Sequence, residues 1–193
     1  MTEPPAFAEI KKRFLEQQKA WKAALQQAAQ SGSFLDAAQV ALQLEANPQE
    51  LLELNQNFIL GKFNDLPNIE LLNESDIGRA RGAYASSSST IYINQSWLNH
   101  ATNEQVIDLL NEELGHHLDN NFQSKDTPGD EGAVFSHLLK NAPESTTSIT
   151  QIRNERKEND HGWISVNGQL QEAEFGTWVT NGGVGPTDGD DNY

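Results

Sequence analysis

Cysteine is absent from this chain of 193 residues. That removes disulfides, thiolate metal clusters and cysteine nucleophiles, so any metal must be held by His, Asp or Glu. Basic residues are scarce: 13 Lys and Arg stand against 28 Asp and Glu, a formal net charge of -15. Such a surface repels phosphate backbones and anionic headgroups. It excludes nonspecific binding to nucleic acid or membrane and favours a metal ion or a cationic partner. Long apolar runs are missing too. No stretch approaches the ~20 residues of a membrane-spanning helix, and the opening "MTEPPAFAEIKKRF" has no basic segment leading into an apolar one. The expected setting is soluble and, by default, cytoplasmic, although secretion without a cleavable N-terminal signal would escape this test. Large apolar side chains are not lacking, with eight Phe and four Trp. A folded core is therefore expected rather than a disordered chain.

The fold class expected is α+β: a helical N-terminal region over residues 1–60, a module over 61–175 and a flexible acidic tail over 176–193. Phe7, Ile10, Phe14, Trp21 and Leu25 recur at helical spacing, which predicts a helix over 5–30 ended by Ser31-Gly32-Ser33. A second helix is expected over about 34–45. A third starts at Asn47-Pro48-Gln49-Glu50, with Asn47 as cap and Glu50 at the capping-box position. Such stripes pack a core; their second use is to engage a protein partner. Beyond Gly61, "IELL", "GAYA" and "STIYIN" are short strand-forming runs. Thr102-Asn103-Glu104-Gln105 is a capping box for a helix that runs to about Asn120-Asn121. The loop "QSKDTPGDEG" leads into a helix "AVFSHLLK", and "WISVNG" and "QLQEAEF" alternate about Asn167-Gly168 as a hairpin. In the tail, Asp188, Asp190 and Asn192 alternate like the start of a calcium loop, against the simpler reading of a solvated end.

The chemistry concentrates in "LLNEELGHHLDNN", residues 109–121. Metallopeptidase helices are commonly written HExxH, and here residues 112–116 run Glu112, Glu113, Leu114, Gly115, His116. A glutamate stands where the first histidine belongs. Spacing i,i+4 lets Glu112 and His116 converge on one ion, while Glu113 follows the first ligand and can hold a carboxylate over a bound water as general base. The other register, Glu113 with His117, puts Leu114 at the base position and supplies no chemistry. His117 instead projects into the apolar side made by Val106, Ile107, Leu109, Leu110, Leu114 and Leu118 and reads as a core histidine. The bland alternative for the cluster is a Glu–His pair on a solvated helix face. Against it stand the strand "STIYIN" before the helix and the acidic loop after it. Hydrolases of this type set an edge strand beside the metal so that a peptide can add to it, here along Ile91, Tyr92 and Ile93. They take a third ligand from downstream. Asp126, Asp130 and Glu131 lie there, and Asp119 lies one turn beyond His116; His100 and His161 lack a ligand-spaced partner.

The stretch "GAYASSSSTIYINQSWLNHATNEQVIDLLNEELGHHLDNNFQSKDTPGDEGAVFSHLL", with "ENDHGWISVNGQLQEAE" further on, resembles a zincin-like metallopeptidase module of large secreted bacterial calcium-binding, haemolysin-type proteins. In that module the helix commonly reads Glu-Glu-Ile/Leu-Gly-His and the loop Gly-Asp-Glu-Gly. The resemblance thus implies that Glu112 is a family feature and leaves His117 outside the chemistry. It also implies a carboxylate ligand on a further helix, Glu131 ahead of Asp130 and Asp119. This chain departs by lacking glycine-rich calcium repeats and by its own helical N-terminus, so export route and substrate do not carry over.

The expected protein is therefore a metal-dependent peptide-bond hydrolase. Glu112, His116 and Glu131 hold zinc, Glu113 is the base, and the substrate is a peptide or protein. One histidine and two carboxylates leave a divalent ion neutral, so its water should titrate above the ~7 of strong zinc sites, and manganese or calcium also suits the oxygen-rich set. The alternative is a noncatalytic metal-stabilised binding or effector module.

Overall fold

The structure is a computed structural model that describes residues 5–125, 127–141, 149–151, 153 and 161–175. Periodicity delivers the helical start: α1 (Pro5–Ser31), α2 (Ser33–Ala41) and α3 (Gln49–Ile59), with Phe14, Trp21, Leu25, Phe34 and Phe58 buried. Gly32 turns α1 into α2 at a φ of 89°, a left-handed conformation that glycine adopts without strain. Two expectations shift. Helix α2 stops at Ala41 rather than near 45. Helix α3 begins one residue late, because Pro48 keeps an extended ψ of 156° and itself occupies the cap position, with no side-chain cap bond. Asn47 therefore lies outside the cap, and the predicted capping box does not form.

Five strands follow: β1 (Asn68–Leu72), β2 (Gly82–Ala85), β3 (Thr90–Asn94), β4 (His161–Val166) and β5 (Gln169–Phe175). They form one mixed sheet in the order β1-β3-β2-β5-β4. Strands β1 and β3 are parallel and the other neighbours antiparallel. Single helical turns, α4 (Glu74–Ile77) and α5 (Gln95–Leu98), punctuate the first three strands. The β4–β5 turn has Asn167 and Gly168 at positive φ, 53° and 79°, as an Asn-Gly hairpin requires.

Two long-loop-connected helices complete the fold: α6 (Asn103–Phe122) and α7 (Glu131–Lys140). The predicted capping box of α6 is present, with the Gln105 backbone donating to Thr102 Oγ1 at 3.2 Å and the Thr102 backbone to Gln105 Oε1 at 2.9 Å. The sheet has two unlike faces because side chains alternate along each strand. Tyr84, Ile91 and Ile93 join the main core with Trp21, Phe34, Leu110 and Phe135. On the reverse, Ala83, Ala85, Tyr92, Ile164, Ala173 and Phe175 form a smaller cluster. The division at residue 60 thus does not separate two cores, since Phe14, Trp21 and Phe58 share one cluster with Ile91 and Leu114. The tail over 176–193, including Asp188, Asp190 and Asn192, lies outside the described residues, as does Asp126. Among the described residues no helix is long and apolar enough to cross a membrane.

One expectation is overturned outright. Strand β3 is no edge: it pairs with β1 on one side and β2 on the other. Its backbone groups are already engaged in ladders, and Ile91, Tyr92 and Ile93 are buried. A peptide cannot add there, and the proposed substrate-binding role of these three residues falls.

Candidate metal centre

Helix α6 is enclosed on every side between Leu109 and Asp119. Toward α1, Asn111 accepts a hydrogen bond from Trp21 Nε1 at 2.8 Å. Toward the sheet, Leu109 and Glu113 lie over Gly82 of β2 and His117 meets Tyr84. Toward α7, two glycines face each other. A Cβ on Gly115 would fall 2.6 Å from the Gly132 Cα, and one on Gly132 would fall 2.6 Å from the Glu112 carbonyl oxygen and 2.7 Å from His116 Nε2. With no side chains between them, the two backbones touch. That contact brings the start of α7 within reach of His116.

Three side chains converge as a result. His116 of α6, Glu131 at the first position of α7 and Glu174 of β5 each offer a ligand atom within 4.8 Å of the others, and this is the one such group among the described residues. His116 Nδ1 lies 2.7 Å from Glu131 Oε1 and 3.1 Å from Glu174 Oε2. His116 and Glu131 are 1% and 2% exposed, Glu174 18%. Burial alone would lower the His116 pKa, but Glu131 first and then Glu174 hold it well above the ordinary value. Burial raises the Glu131 carboxyl, against the pull of His116. Two carboxylates and one imidazole thus demand a positive charge at their centre, supplied by a shared proton or by a metal ion. The donor set of one nitrogen and two oxygens suits a borderline ion; the other ring nitrogen, Nε2, packs against Gly132 with no hydrogen-bond partner among the described residues.

The predicted ligands divide accordingly. His116 and Glu131 are brought together. Glu112 is buried on the same helix but is not a member of the group. Asp130 is occupied as the N-cap of α7, accepting from the Ala133 backbone at 2.6 Å. Asp119 accepts from the backbone and hydroxyl of Thr127 and ties down the loop between α6 and α7. Glu113 is fully buried beside Gly82. Glu174 escaped the sequence reading. Its strand was visible, but its place beside β2, set by the pairing of Tyr84 with Glu174, joins residues far apart in the chain. The solvated-face reading of the helix does not hold, since Glu112, His116 and Asp119 are all buried.

Beside this group lies Arg153. It donates to the carbonyls of Val40 and Ala41, each at 2.6 Å. Burial lowers its pKa, while Glu131, Asp119 and Asp130 favour its charge.

His117 is the core residue its position suggested. The Tyr84 hydroxyl lies 2.9 Å from Nδ1 and the Asn121 amide 3.0 Å from Nε2. Burial lowers its pKa from 6.5 to about 4. A folded pKa below the unfolded one gives stability that is fully present above the unfolded value. That stability is lost as pH falls toward the folded value, by up to roughly 3 kcal/mol. Denaturant midpoints should therefore fall more steeply between about pH 7 and pH 4 in the wild type than in His117→Gln. Equal slopes would take this histidine out of the acid response.

No protein-family model, curated protein or solved structure matches the chain.

Proposed function

We propose that this protein is a metal-dependent hydrolase of peptide bonds whose ion is held by His116, Glu131 and Glu174. The observation that carries the reading is the convergence of these three buried donors from two helices and a strand. Three protein ligands leave a further position open, as catalytic sites do and closed structural sites do not. Compared with the set expected from the helix motif, one carboxylate has changed places: Glu174 stands for Glu112. The count of one imidazole and two carboxylates is the same, so the charge argument carries over to zinc first and manganese second.

When bound, the ion would supply Lewis acidity toward a water and a substrate carbonyl. The chain supplies the rest. His116, Glu131 and Glu174 would hold the ion, and the carboxylate pair on α6 supplies the proton acceptor. Glu113 is proposed as the general base, with Glu112, one turn before His116, as its rival. The resemblance to the zincin-like module supports the reading through Glu112-Glu113-Leu114-Gly115-His116 and Gly129-Asp130-Glu131-Gly132.

The test is a pair of amides assayed on an unstructured protein substrate. Glu113→Gln should keep the metal and the fold and lose at least about a hundredfold in turnover, because an amide of the same shape accepts no proton. If Glu112→Gln loses the activity instead, the base is Glu112. The second reading, a noncatalytic metal-stabilised binding module, is favoured by one observation: His116 and Glu131 are almost sealed from solvent. Metal-dependent stability with no turnover by the wild type would select it.

A further inference from the structure

We infer that the outer half of the sheet face carrying Glu174 is a platform for an extended polypeptide that presents a bulky apolar side chain next to a basic one. The claim that the bound segment is also cleaved rests on the hydrolase reading above; the binding claim does not. Across the β4–β5 pair, His161 stands opposite Glu174, Trp163 opposite Glu172, and Ser165 opposite Leu170. Directly opposed residues project to the same face. That face is the one on which Tyr84, opposite Glu174 on the other side, meets His117 of α6. Trp163, Leu170 and the metal centre therefore share one surface. Its inner half is covered by α6. Its outer half is open, with Trp163 64% and Leu170 73% exposed. The reverse of the same two strands behaves oppositely: Ile164, Ala173 and Phe175 are buried there. An end of the sheet that was merely frayed would expose both faces.

Trp163 and Leu170 are diagonal neighbours, close enough for one apolar group to touch both. Glu172, exposed on the same face, stands directly opposite Trp163 and two residues from Leu170 on its own strand, which selects a basic neighbour on the guest. Among the described residues β4 is hydrogen-bonded on one side only, so a guest chain can run along it by strand addition. His161 and Trp163 are two residues apart, roughly 7 Å. A guest side chain resting on Trp163 thus lies about two positions from the one beside His161, which stands between the guest and Glu174.

Fluorescence anisotropy of a labelled peptide carrying Lys-Phe-Leu-Lys, beside a control with serine for Phe and Leu, tests the platform on the metal-loaded protein. Trp163→Ala and Leu170→Ala should each weaken binding about tenfold or more with metal content and circular dichroism unchanged, and His116→Ala should still bind. Equal binding of the serine peptide, or affinity unmoved by both substitutions, overturns the proposal. So does a wild-type dimer in sedimentation that Trp163→Ala dissociates, which assigns the surface to a second copy of this chain. A peptide that binds through Trp163 but is never cut sinks the hydrolase reading and leaves the platform. Equal kcat/KM for wild type and Trp163→Ala does the reverse.

Discussion

His116→Ala is expected to empty the metal centre and to destabilise the fold by about 3–5 kcal/mol, the usual cost of leaving a buried charge without its partner. The substitution removes the imidazole from between Glu131 and Glu174, which sit 2.7 Å and 3.1 Å from the lost Nδ1. Glu131 is nearly sealed from water and cannot be rehydrated without opening the α6–α7 contact. It will take up a proton instead, since the loss of His116 removes the largest influence opposing the rise that burial already causes. The sign of the pH dependence follows. A carboxyl whose folded pKa is raised gives stability that is present below the unfolded value and lost as pH rises through the folded one. Below pH 6.5, where the stability that the raised His116 gives the wild type is already complete, the deficit of His116→Ala should therefore shrink as pH falls toward 4.5, the ordinary value for the Glu131 carboxyl. Metal analysis with denaturant midpoints at several pH values reads both effects. Stoichiometric metal in the variant, or a deficit that grows in acid, would refute the site as drawn.

Gly132→Ala should be nearly as damaging, although it adds a single methyl group. In an exposed helix the change would gain up to about 1 kcal/mol from helix propensity. Here the new Cβ would stand 2.6 Å from the Glu112 carbonyl oxygen and 2.7 Å from His116 Nε2. The first is backbone and the second belongs to the site, so neither can swing aside. The helices must part, at a cost of about 3 kcal/mol, the upper end of what overpacking usually takes. Metal affinity should fall about ten- to a hundredfold as His116 is displaced from Glu131, an effect of the size seen when ligand orientation is disturbed. Thermal unfolding and metal titration of Gly132→Ala beside Gly115→Ala check this. A fully stable, metal-replete Gly132→Ala would mean that α6 and α7 do not touch here.

What was legible in the sequence was mostly local. Thr102 and Gln105 announce α6, Asp130 and Glu131 open α7, and Asn167-Gly168 turns the hairpin, because each rests on chemistry within a few residues. The pairing of His116 with a downstream carboxylate was also readable, since Glu131 is close behind it in the chain. Strand order was not. "STIYIN" declares a strand, but whether that strand is central or at an edge depends on β1, which runs parallel to it after an intervening connection. Glu174 is invisible for the same reason: its role comes from the β2–β5 register, and no local pattern encodes that. Glu112 stands outside the convergent group, because the motif supplies helical spacing but says nothing of which neighbouring element closes on the helix.

The three donors at 116, 131 and 174 also have an order in time. During synthesis the chain presents His116 and Glu131 first, and at ordinary elongation rates the last carboxylate follows a few seconds later. Until β5 slots in between β2 and β4, any ion meets a two-point site that grips weakly and lets go easily. For an ion held by all three groups, the choice of metal would thus be deferred to a late event, the docking of the β4–β5 hairpin, and the ion retained would be the one on offer when that hairpin closes.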